Sequence, residues 1–314
     1  MKVLTLAEIK KRVEVDAIIA GQEEAFVAYS QGKVISPPVG HLQFLSPPGD
    51  CHIKYGMIAN DEIYVIKIAS GFYDNPKQNL SSSHGLMLIH CAKTGIPLIL
   101  LQDEGYLTDL RTAIAGLICA KYLAPQSIHG IGIFGTGTQA RLQLQLLKLF
   151  TSCKNVYVWG RTAEKLATFK AAMAMDGFDI KTTLSAQTVL QNCNLIITTT
   201  PSQQPLFSAK DVHPGTHITA IGADSPGKQE LDADLFLRAR WFVDSRTQSV
   251  LQGETQHIPQ IVQLIELGEV IANPSLGREN ATQITVADLT GLAAQDIQIA
   301  KTFTLAMPHA GAPL

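Results

Sequence analysis

IHGIGIFGTGTQA, residues 128–140, is a short apolar run that ends in a G-x-G-x-x-A turn. In a dinucleotide-binding turn the first glycine makes the tight bend and the second lets the backbone approach a pyrophosphate. A small third residue lets the helix pack closely on the strand, and the helix N-terminus offers N–H groups to the anion. A second apolar strand, residues 155–159 (NVYVW), follows at the spacing of a βαβ unit. This pattern predicts a nicotinamide-type dinucleotide site, and the alternative is an ordinary glycine-rich turn between a strand and a helix. The residues of the turn predicted to contact the cofactor are Gly135, Thr136, Gly137, Thr138, Gln139 and Ala140.

The end of the second strand bears on the choice of cofactor. NAD-preferring sites place Asp or Glu there to bind the ribose 2′-hydroxyl, whereas this chain has Arg161. An arginine suits a 2′-phosphate, to which it donates charge-assisted bidentate hydrogen bonds. We therefore favour NADP(H), with NAD(H) as the second candidate; alternatively, Arg161 stacks on the adenine and both cofactors are used. The further predicted cofactor-binding residues are Gly160, Arg161, Thr162 and Lys165, with Thr198 and Thr200 at the end of a later strand.

Composition limits the class of protein. The chain has 314 residues, 46% of them hydrophobic, and a formal net charge of −2, which is typical of a globular protein with one or two domains. Since no basic or acidic block is present, nucleic acid and anionic membranes are poor partners. Five cysteines without C-x-x-C or metal spacing fit a reducing compartment and no bound metal. The charged N-terminal segment and the absence of a run of about 18 apolar residues lead us to expect a cytoplasmic protein without a membrane span.

The residues before the turn predict a helix packed on a mostly antiparallel sheet. The helix is expected over residues 4–30, with Thr5 and Glu8 in the pattern of a capping box. Two Pro-Pro pairs make residues 32–48 extended or looped. The predicted strands are 51–58, 63–69, 86–91 and 98–102, followed by a helix at 109–123.

From residue 128 onward strands and helices alternate, which predicts a doubly wound parallel sheet. The fold class is therefore α/β, a Rossmann domain combined with an α+β domain. A helix is expected at 256–270, a strand at 284–288 and a final helix at 293–306 that returns to the first domain. The remaining predicted elements of the sheet are the strands 178–183, 195–200, 217–222 and 240–244 and the helices 138–150, 162–175 and 185–191.

Lys67 and Lys54 lie in neighbouring predicted strands. Lys67 interrupts the apolar run IYVIKIA, where a lysine must reach solvent, pair with an acid or face a cavity. An edge-strand position that keeps the protein soluble is the alternative. Lys54, in CHIKY, either points into the same cavity or is a solvated strand residue.

Arg111 and Asp224 are candidates on other elements. Arg111 opens a predicted helix, and a cation near a helix N-terminus suggests an anion. A substrate carboxylate is one such anion, and a salt bridge to Asp109 or Glu104 is the alternative. Asp224 follows a strand of the nucleotide sheet, at the end where such folds bind ligands. A carboxylate there either exchanges protons with a reacting nitrogen or caps the turn at 225–227.

With these residues, the chain resembles the ornithine cyclodeaminase/mu-crystallin family over nearly its whole length. The resemblance implies a substrate and dimerisation domain, here 1–115 with 289–314, and a Rossmann domain, here 116–288. It also implies NAD(P)-dependent chemistry at the carbon–nitrogen bond of a small amino or imino acid. The most specific stretches are VIKIASGFYDNP (65–76), GYLTDLRTAIAGLICAKYLAP (105–125), GIFGTGTQAR (132–141), VWGRT (158–162) and AIGADSPGKQELD (220–232).

The resemblance also assigns roles to individual residues. Lys67 and Arg111 match the family residues that contact the substrate carboxylate region, and Asp224 matches the family's key aspartate. Ser82 matches a small hydroxyl near substrate and cofactor, and Thr290 lies where the last strand lines the nicotinamide. A homodimer is implied in the same way.

Three positions depart from the cyclodeaminases of the family. The stretch 36–41, SPPVGH, lacks their carboxylate-binding arginine, and Lys54 stands where they carry an acid. Gly160-Arg161 replaces their acidic residue after the second nucleotide strand. This last difference resembles the mu-crystallin-like ketimine reductases, which consume reduced cofactor.

The residues and the resemblance together predict an NAD(P)H-dependent reductase of a cyclic imino acid. The expected substrate is Δ1-pyrroline-2-carboxylate, reduced to L-proline, with Δ1-piperideine-2-carboxylate, reduced to L-pipecolate, as the six-membered alternative. Lys67 and Asp224 are the predicted catalytic residues. Lys67 orients the substrate carboxylate together with the predicted substrate-binding residues Arg111, Lys54 and Ser82. Asp224 stabilises the iminium and accepts or relays its proton. Ornithine cyclodeamination, a related amino acid dehydrogenation and a non-catalytic NADP-binding protein are the alternatives.

Overall fold

The computed structural model describes residues 1–72, 74–258 and 263–304. The chain divides into two compact units. Unit 1 contains Met1–Arg111 and Leu292–Leu314, and unit 2 contains Thr112–Gly291. The chain therefore leaves unit 1, forms the whole of unit 2 and then returns.

Unit 1 is built on a seven-stranded sheet. Its strands are β1 (Lys2–Thr5), β2 (Val34–Ile35), β3 (Gly40–Leu45), β4 (Pro48–Ile58), β5 (Ile63–Phe72), β6 (Ser83–Cys91) and β7 (Pro97–Gln102). They follow the order β1-β7-β6-β5-β4-β2, with β3 paired to β4. β1 runs parallel to β7, and the other pairs are antiparallel. The mostly antiparallel sheet predicted from the sequence is confirmed.

The single helix expected over residues 4–30 is wrong. Residues 2–5 form β1, and two helices follow, α1 (Leu6–Lys10) and α2 (Val15–Ser30). Pairing with β7 satisfies the backbone of β1 and leaves the Leu4 side chain fully buried, so the strand prevails over a longer helix. The predicted capping interaction is present, because the Thr5 backbone N–H donates to Glu8 Oε2 at 2.9 Å.

The last described helix of unit 1 is α9 (Ala293–Lys301), which packs against α2, β4 and β5. Gly56 of β4 is required by the neighbouring strand β2, since a Cβ there would lie 2.6 Å from the Ile35 carbonyl oxygen, whereas Ala293 Cβ of α9 would be in ordinary contact at 3.5 Å. The buried side of α9 carries Gln295 and Asp296. Residues 305–306, expected to continue this helix, lie outside the described residues.

Unit 2 is built on an eight-stranded sheet in which every pair is parallel. Its strands are β8 (Ile131–Phe134), β9 (Asn155–Trp159), β10 (Asp179–Thr183), β11 (Leu195–Thr198), β12 (His217–Ala220), β13 (Ala239–Val243), β14 (Ile265–Glu266) and β15 (Ile284–Asp288). The order β10-β9-β8-β11-β12-β15-β13-β14 reverses direction between β8 and β11. This confirms the doubly wound sheet, whose ligands bind at the carboxyl ends of the strands beside that reversal.

Helices and apolar side chains complete unit 2. Its core contains the buried residues Phe134, Ile218, Trp241 and Val286. α3 (Tyr106–Leu123) begins in unit 1 and continues into unit 2. The other helices are α4 (Thr138–Leu147), α5 (Ala163–Ala172), α6 (Ala186–Asn192), α7 (Arg246–Gln252) and α8 (Leu267–Ala272).

The helix expected over residues 256–270 is also wrong. Glu254–His257 form a 3₁₀ helix, and Ile265–Glu266 form β14 before α8 begins. Ile265 pairs with Phe242 at the edge of the sheet, so backbone pairing decides the conformation there. Residues 259–262 of the expected helix lie outside the described residues. Within the described part of the chain, no helix combines the length and the apolar character needed to cross a bilayer.

Candidate active site

The predicted dinucleotide turn has the backbone that its glycines suggest. Gly135 has φ of +122°, and a Cβ at that position would lie 2.5 Å from Thr199 Oγ1. Gly137 is the N-cap of α4, and no atom lies within 4 Å of the position of its missing Cβ. The first glycine is therefore required by the turn, and the second leaves open space over the backbone.

The start of α4 suits a phosphate group. Thr138 and Gln139 provide backbone N–H groups in the first turn, and Ala140 is fully buried under the helix. That first turn contains no acidic residue, and Arg141 Nη1 donates to the Thr136 carbonyl at 3.3 Å. The positive end of the helix dipole and a guanidinium group thus lie together, which favours an anion. The residues of this turn therefore fit a dinucleotide.

The end of β9 has a buried glycine that is followed by exposed polar residues. Gly160 is buried, and a Cβ there would lie 3.0 Å from Thr136 Cγ2. Arg161, Thr162 and Lys165 are exposed. The Thr162 hydroxyl accepts a 3.4 Å hydrogen bond from the Lys165 backbone and caps α5. The Arg161 guanidinium is therefore accessible to a ligand.

Three of the predicted cofactor residues donate hydrogen bonds to buried carboxyl groups. They are Thr198, Thr200 and Thr290. Thr198 is fully buried, and its hydroxyl donates to Glu230 at 2.6 Å. The Thr200 backbone N–H also donates to Glu230, at 2.5 Å. Thr290 donates to Asp244 through its backbone and its hydroxyl, both at 2.9 Å. The hydroxyls of Thr198 and Thr290 thus hold the ends of the strands in place.

Sequence reasoning missed a group of buried carboxyls behind these threonines. Burial, and then the nearby carboxyls of Asp288 and Glu230, raise the pKa of Glu254 to about 9. Burial also raises the pKa of Asp288 to about 7 and raises the pKa of Glu230. Glu254 accepts backbone N–H groups of Glu230 and Leu231 at 2.8 and 3.0 Å. The stretch AIGADSPGKQELD, already singled out, contained the signal for Glu230.

Asp224 lies beyond the end of β12, with 42% of its side chain exposed. Lys228 Nζ is 2.7 Å from Asp224 Oδ1, and Ser225 Oγ donates to the same oxygen at 3.2 Å. The turn 225–227 was the alternative explanation for this residue. The structure gives Asp224 both a local ion pair and an accessible carboxylate.

Unit 1 brings Lys67 and Arg111 to one carboxylate, Asp296 of α9. Lys67 Nζ is 2.8 Å from Asp296 Oδ2, and Arg111 Nε is 3.1 Å from Asp296 Oδ1. All three side chains are at most 7% exposed. Sequence reasoning missed Asp296, although an acid within the apolar run AAQDIQIA was a usable signal.

The charges of this cluster shift one another's protonation. Burial, and then the positive charge of Arg111, lower the pKa of Lys67 to about 7 even though Asp296 acts in the opposite direction. Burial alone would raise the pKa of Asp296, but Lys67 and Arg111 outweigh it and hold that pKa below its usual range. The buried lysine therefore titrates near neutral pH.

Lys54 adds a third cation to the same face of the sheet. It is 9% exposed, and it lies directly opposite Lys67 in the register of β4 and β5. Like charges in directly opposed positions repel. Asp103, a second buried carboxyl of unit 1, caps α3 by accepting the Leu107 N–H at 2.8 Å, and burial raises its pKa. Unit 1 thus buries three basic side chains, Lys54, Lys67 and Arg111, together with these carboxyls.

The structure places Arg111 and Ser82, two predicted substrate-binding residues, in different surroundings. α3 begins at Tyr106, so Arg111 does not open the helix, and the inference from the helix N-terminus is wrong; Arg111 is held by Asp296 instead. Ser82 is exposed, and its carbonyl accepts the Phe72 N–H at 2.8 Å. Among the described residues, no group of His, Cys, Asp and Glu is suited to hold a metal.

The model of the ornithine cyclodeaminase/mu-crystallin family matches residues 1–304. An archaeal alanine dehydrogenase dimer with bound NAD is 34% identical with a TM-score of 0.87, covering 96% of this chain and 94% of that one. The iminosuccinate reductase of Paracoccus denitrificans in complex with NAD⁺ is 30% identical with a TM-score of 0.87, covering 97% and 95%. The Δ1-pyrroline-2-carboxylate reductase of Thermococcus litoralis in complex with NADH and L-proline is 26% identical with a TM-score of 0.87, covering 96% of each chain. The chain belongs to the ornithine cyclodeaminase/mu-crystallin family.

Proposed function

We propose that this protein is an NAD(P)H-dependent reductase that converts Δ1-pyrroline-2-carboxylate to L-proline, with Δ1-piperideine-2-carboxylate and L-pipecolate as the six-membered pair. The observation that carries the proposal is the buried cluster of Lys54, Lys67 and Arg111. Two relatives of the family, an iminosuccinate reductase and a Δ1-pyrroline-2-carboxylate reductase, act on imino acids. The buried basic cluster and the substrates of these relatives both indicate a small substrate that carries a carboxylate.

A substrate carboxylate would relieve the electrostatic cost of the cluster. Burying a cation is costly, and a neighbouring anion offsets part of that cost. Arg111 presents a planar fork of donors that matches a carboxylate, and Lys67 presents a point charge beside it. An incoming anion would raise the pKa of Lys67 above its value of about 7 and keep the lysine protonated.

Asp224 is the proposed partner of the substrate nitrogen. An imine accepts hydride readily only when it is protonated, and a carboxylate close to the nitrogen stabilises the resulting iminium. The Lys228 ammonium lies 2.7 Å from Asp224 Oδ1 and places a positive charge beside the carboxylate. Since 42% of the Asp224 side chain is exposed, the carboxylate is accessible to a ligand.

The reduced nicotinamide supplies the hydride for the C=N carbon. In this proposal the turn at 135–140 holds the pyrophosphate, and Thr290 lies beside the nicotinamide. Arg161 binds a 2′-phosphate, for which we propose a preference for NADP(H). The structural relatives named above bind NAD or NADH, so NAD(H) is the cofactor against which this preference must be tested.

We propose that unit 1 binds the substrate and forms a homodimer. Tyr55, Ile66, Leu88 and Leu100 are register partners in one row across β4, β5, β6 and β7. Since neighbouring residues of a strand point to opposite faces, this apolar row lies on the face opposite Lys67. Tyr55 is 40% exposed, and the others are half-buried. An exposed apolar patch of this kind is typical of an interface, and the archaeal alanine dehydrogenase is a dimer.

Ornithine cyclodeamination is the main alternative within the family. Ornithine would bring a second ammonium group to a protein that already buries three basic side chains, and like charges repel. That repulsion favours the imino acid.

The first experiment measures absorbance at 340 nm with NADPH and Δ1-pyrroline-2-carboxylate. A parallel reaction with L-ornithine and NAD⁺ is assayed for ammonia. We expect NADPH to be consumed with the imine and no ammonia to be released from ornithine. Ammonia and proline from ornithine, without net change of cofactor, would refute the reductase assignment.

A further inference from the structure

Asp224 lies on a loop whose two ends are tied together. In this loop, residues 222–230 (the Asp224 loop), the Gly222 N–H donates to Glu230 Oε2 at 2.8 Å. Glu230 is fully buried and accepts the Thr200 N–H through its other oxygen. The base of the loop is therefore anchored to the ends of two neighbouring strands, β11 and β12.

The outer turn of the same loop is held by Gln256, on the 3₁₀ helix that follows α7. Gln256 Oε1 accepts the Gly227 N–H at 2.8 Å. Gln256 Nε2 lies 3.4 Å from the Ser225 carbonyl and 3.3 Å from the Lys228 carbonyl, and 2.9 Å from the Gly253 carbonyl. An amide nitrogen has two hydrogens, so at least one is shared among the three oxygens. One side chain thus contacts both sides of the turn.

His257 reinforces the contact at Lys228. His257 Nε2 lies 2.7 Å from the Lys228 carbonyl, and because a carbonyl only accepts, this nitrogen carries the proton. The Lys228 backbone is therefore held from two neighbouring residues. Its side chain extends to Asp224, where Nζ lies 2.7 Å from Oδ1. Lys228 therefore links Gln256 to the Asp224 carboxylate, since its backbone contacts Gln256 and its side chain contacts Asp224.

We propose that Gln256 is a positioning residue for Asp224, acting through the backbone of Ser225, Gly227 and Lys228. The inference rests on the proposed function of Asp224. A carboxylate that stabilises developing charge is effective only if it is fixed in place beforehand, and an error of about 1 Å can reduce the rate about 100-fold. The hydrogen bonds of Glu230 fix where the loop begins and ends, and those of Gln256 fix the position of its outer turn.

The test compares Gln256→Leu with wild type, and Gln252→Leu is the matched control. Gln252 is a half-buried glutamine four residues earlier, and its amide nitrogen has no hydrogen-bond partner among the described residues. Measured quantities are kcat and KM for the imino acid, the dissociation constant of the reduced cofactor from its fluorescence, and the melting temperature. For Gln256→Leu we expect kcat to fall about 100-fold with cofactor affinity and melting temperature unchanged. Gln252→Leu is expected to behave like wild type.

A double-mutant cycle with Asp224→Asn distinguishes an effect of Gln256 that acts through Asp224 from one that is independent of it. If Gln256 acts through Asp224, Gln256→Leu causes no further loss of kcat once Asp224 is replaced, whereas independent effects multiply. Gln256→Glu provides a second variant if Gln256→Leu fails to fold. It retains an acceptor for Gly227 but cannot donate to the carbonyls, so we expect the same loss of kcat.

The outcomes distinguish the inference from the proposed function. A wild-type kcat in Asp224→Asn refutes the role of Asp224, and the inference with it. A reduced kcat in Asp224→Asn, combined with a normal kcat in Gln256→Leu or with effects that multiply, refutes the inference alone. Loss of cofactor affinity in Gln256→Leu and Gln256→Glu would show that Gln256 supports the fold of unit 2 and does not position Asp224.

Discussion

Asp296→Asn removes the carboxylate that Lys67 and Arg111 share. The two ion pairs measure 2.8 and 3.1 Å, and Asp296 is 1% exposed, so water does not replace the lost charge. An asparagine has the same size and leaves no cavity. Removal of one partner from a buried ion pair costs about 3–5 kcal/mol, and we expect a loss of unfolding free energy of that size near pH 7.

The pH dependence of this loss has a definite sign. Asp296 raises the pKa of Lys67 against burial, so in the variant that pKa falls below its wild-type value of about 7. Below pH 7 the wild-type lysine is protonated in both the folded and the unfolded chain. The variant's lysine is neutral in the folded chain and gains a proton on unfolding, which destabilises the variant further as the pH falls. The difference from wild type grows by up to about 1.4 kcal/mol for each pH unit below 7 and is constant above it.

Urea unfolding followed by far-UV circular dichroism at pH 8 and pH 6 measures this difference. The control is Lys301→Gln, on the same helix, which removes an ion pair of 2.7 Å with Asp61. Because Lys301 is 40% exposed, its pair contributes at most about 1 kcal/mol. A difference between wild type and Asp296→Asn that is smaller at pH 6 than at pH 8, or no larger than the control's, would refute the electrostatic account of the cluster.

Four further outcomes are expected. Arg161→Gln lowers kcat/KM for NADPH about tenfold or more and leaves kcat/KM for NADH unchanged, both measured from absorbance at 340 nm. Equal effects on the two cofactors would mean that Arg161 does not distinguish between them. Lys67→Ala lowers kcat/KM for the imino acid about 100-fold or more with unchanged cofactor affinity, and near-wild-type turnover would remove Lys67 from the mechanism. Ile66→Glu places a charge in the apolar row and yields monomers in light scattering; a persistent dimer contradicts the proposed interface. Asp288→Asn removes an acid whose pKa is raised to about 7, so the stability of this variant relative to wild type rises by about 1.4 kcal/mol per pH unit between about pH 4 and 7. Parallel stability profiles for Asp288→Asn and wild type would contradict that assignment.

Features with a short-range signal were predictable from the sequence. The turn at 135–140 is recognisable by its glycines at positions 135 and 137, and the strands of unit 2 are mostly apolar runs that alternate with helices. Both are local patterns, and both are present. The strand β1 and the edge strand β14 were missed because pairing with distant strands, β7 and β13, outweighs the local preference for helix in these stretches.

The candidate site was predictable only in part, for the same reason. Lys67 was recognisable as a charge in an apolar strand, but its partner Asp296 lies 229 residues further along the chain. Arg111 was selected on the assumption that it opens a helix, and the structure holds it through Asp296 instead. Gln256 had no sequence signal, because its role depends on the fold of the Asp224 loop. Contacts between distant residues decide what these side chains do.

The return of α9 to unit 1 has a consequence for synthesis on the ribosome. All seven strands of unit 1 have been translated by residue 102, but Asp296 follows nearly two hundred residues later. Until then Lys67 and Arg111 lack the carboxylate that stabilises them in the interior, although every described strand of unit 2, the last of which ends at Asp288, has by then been translated. The first segment to be translated must therefore wait for α9 before its core is complete.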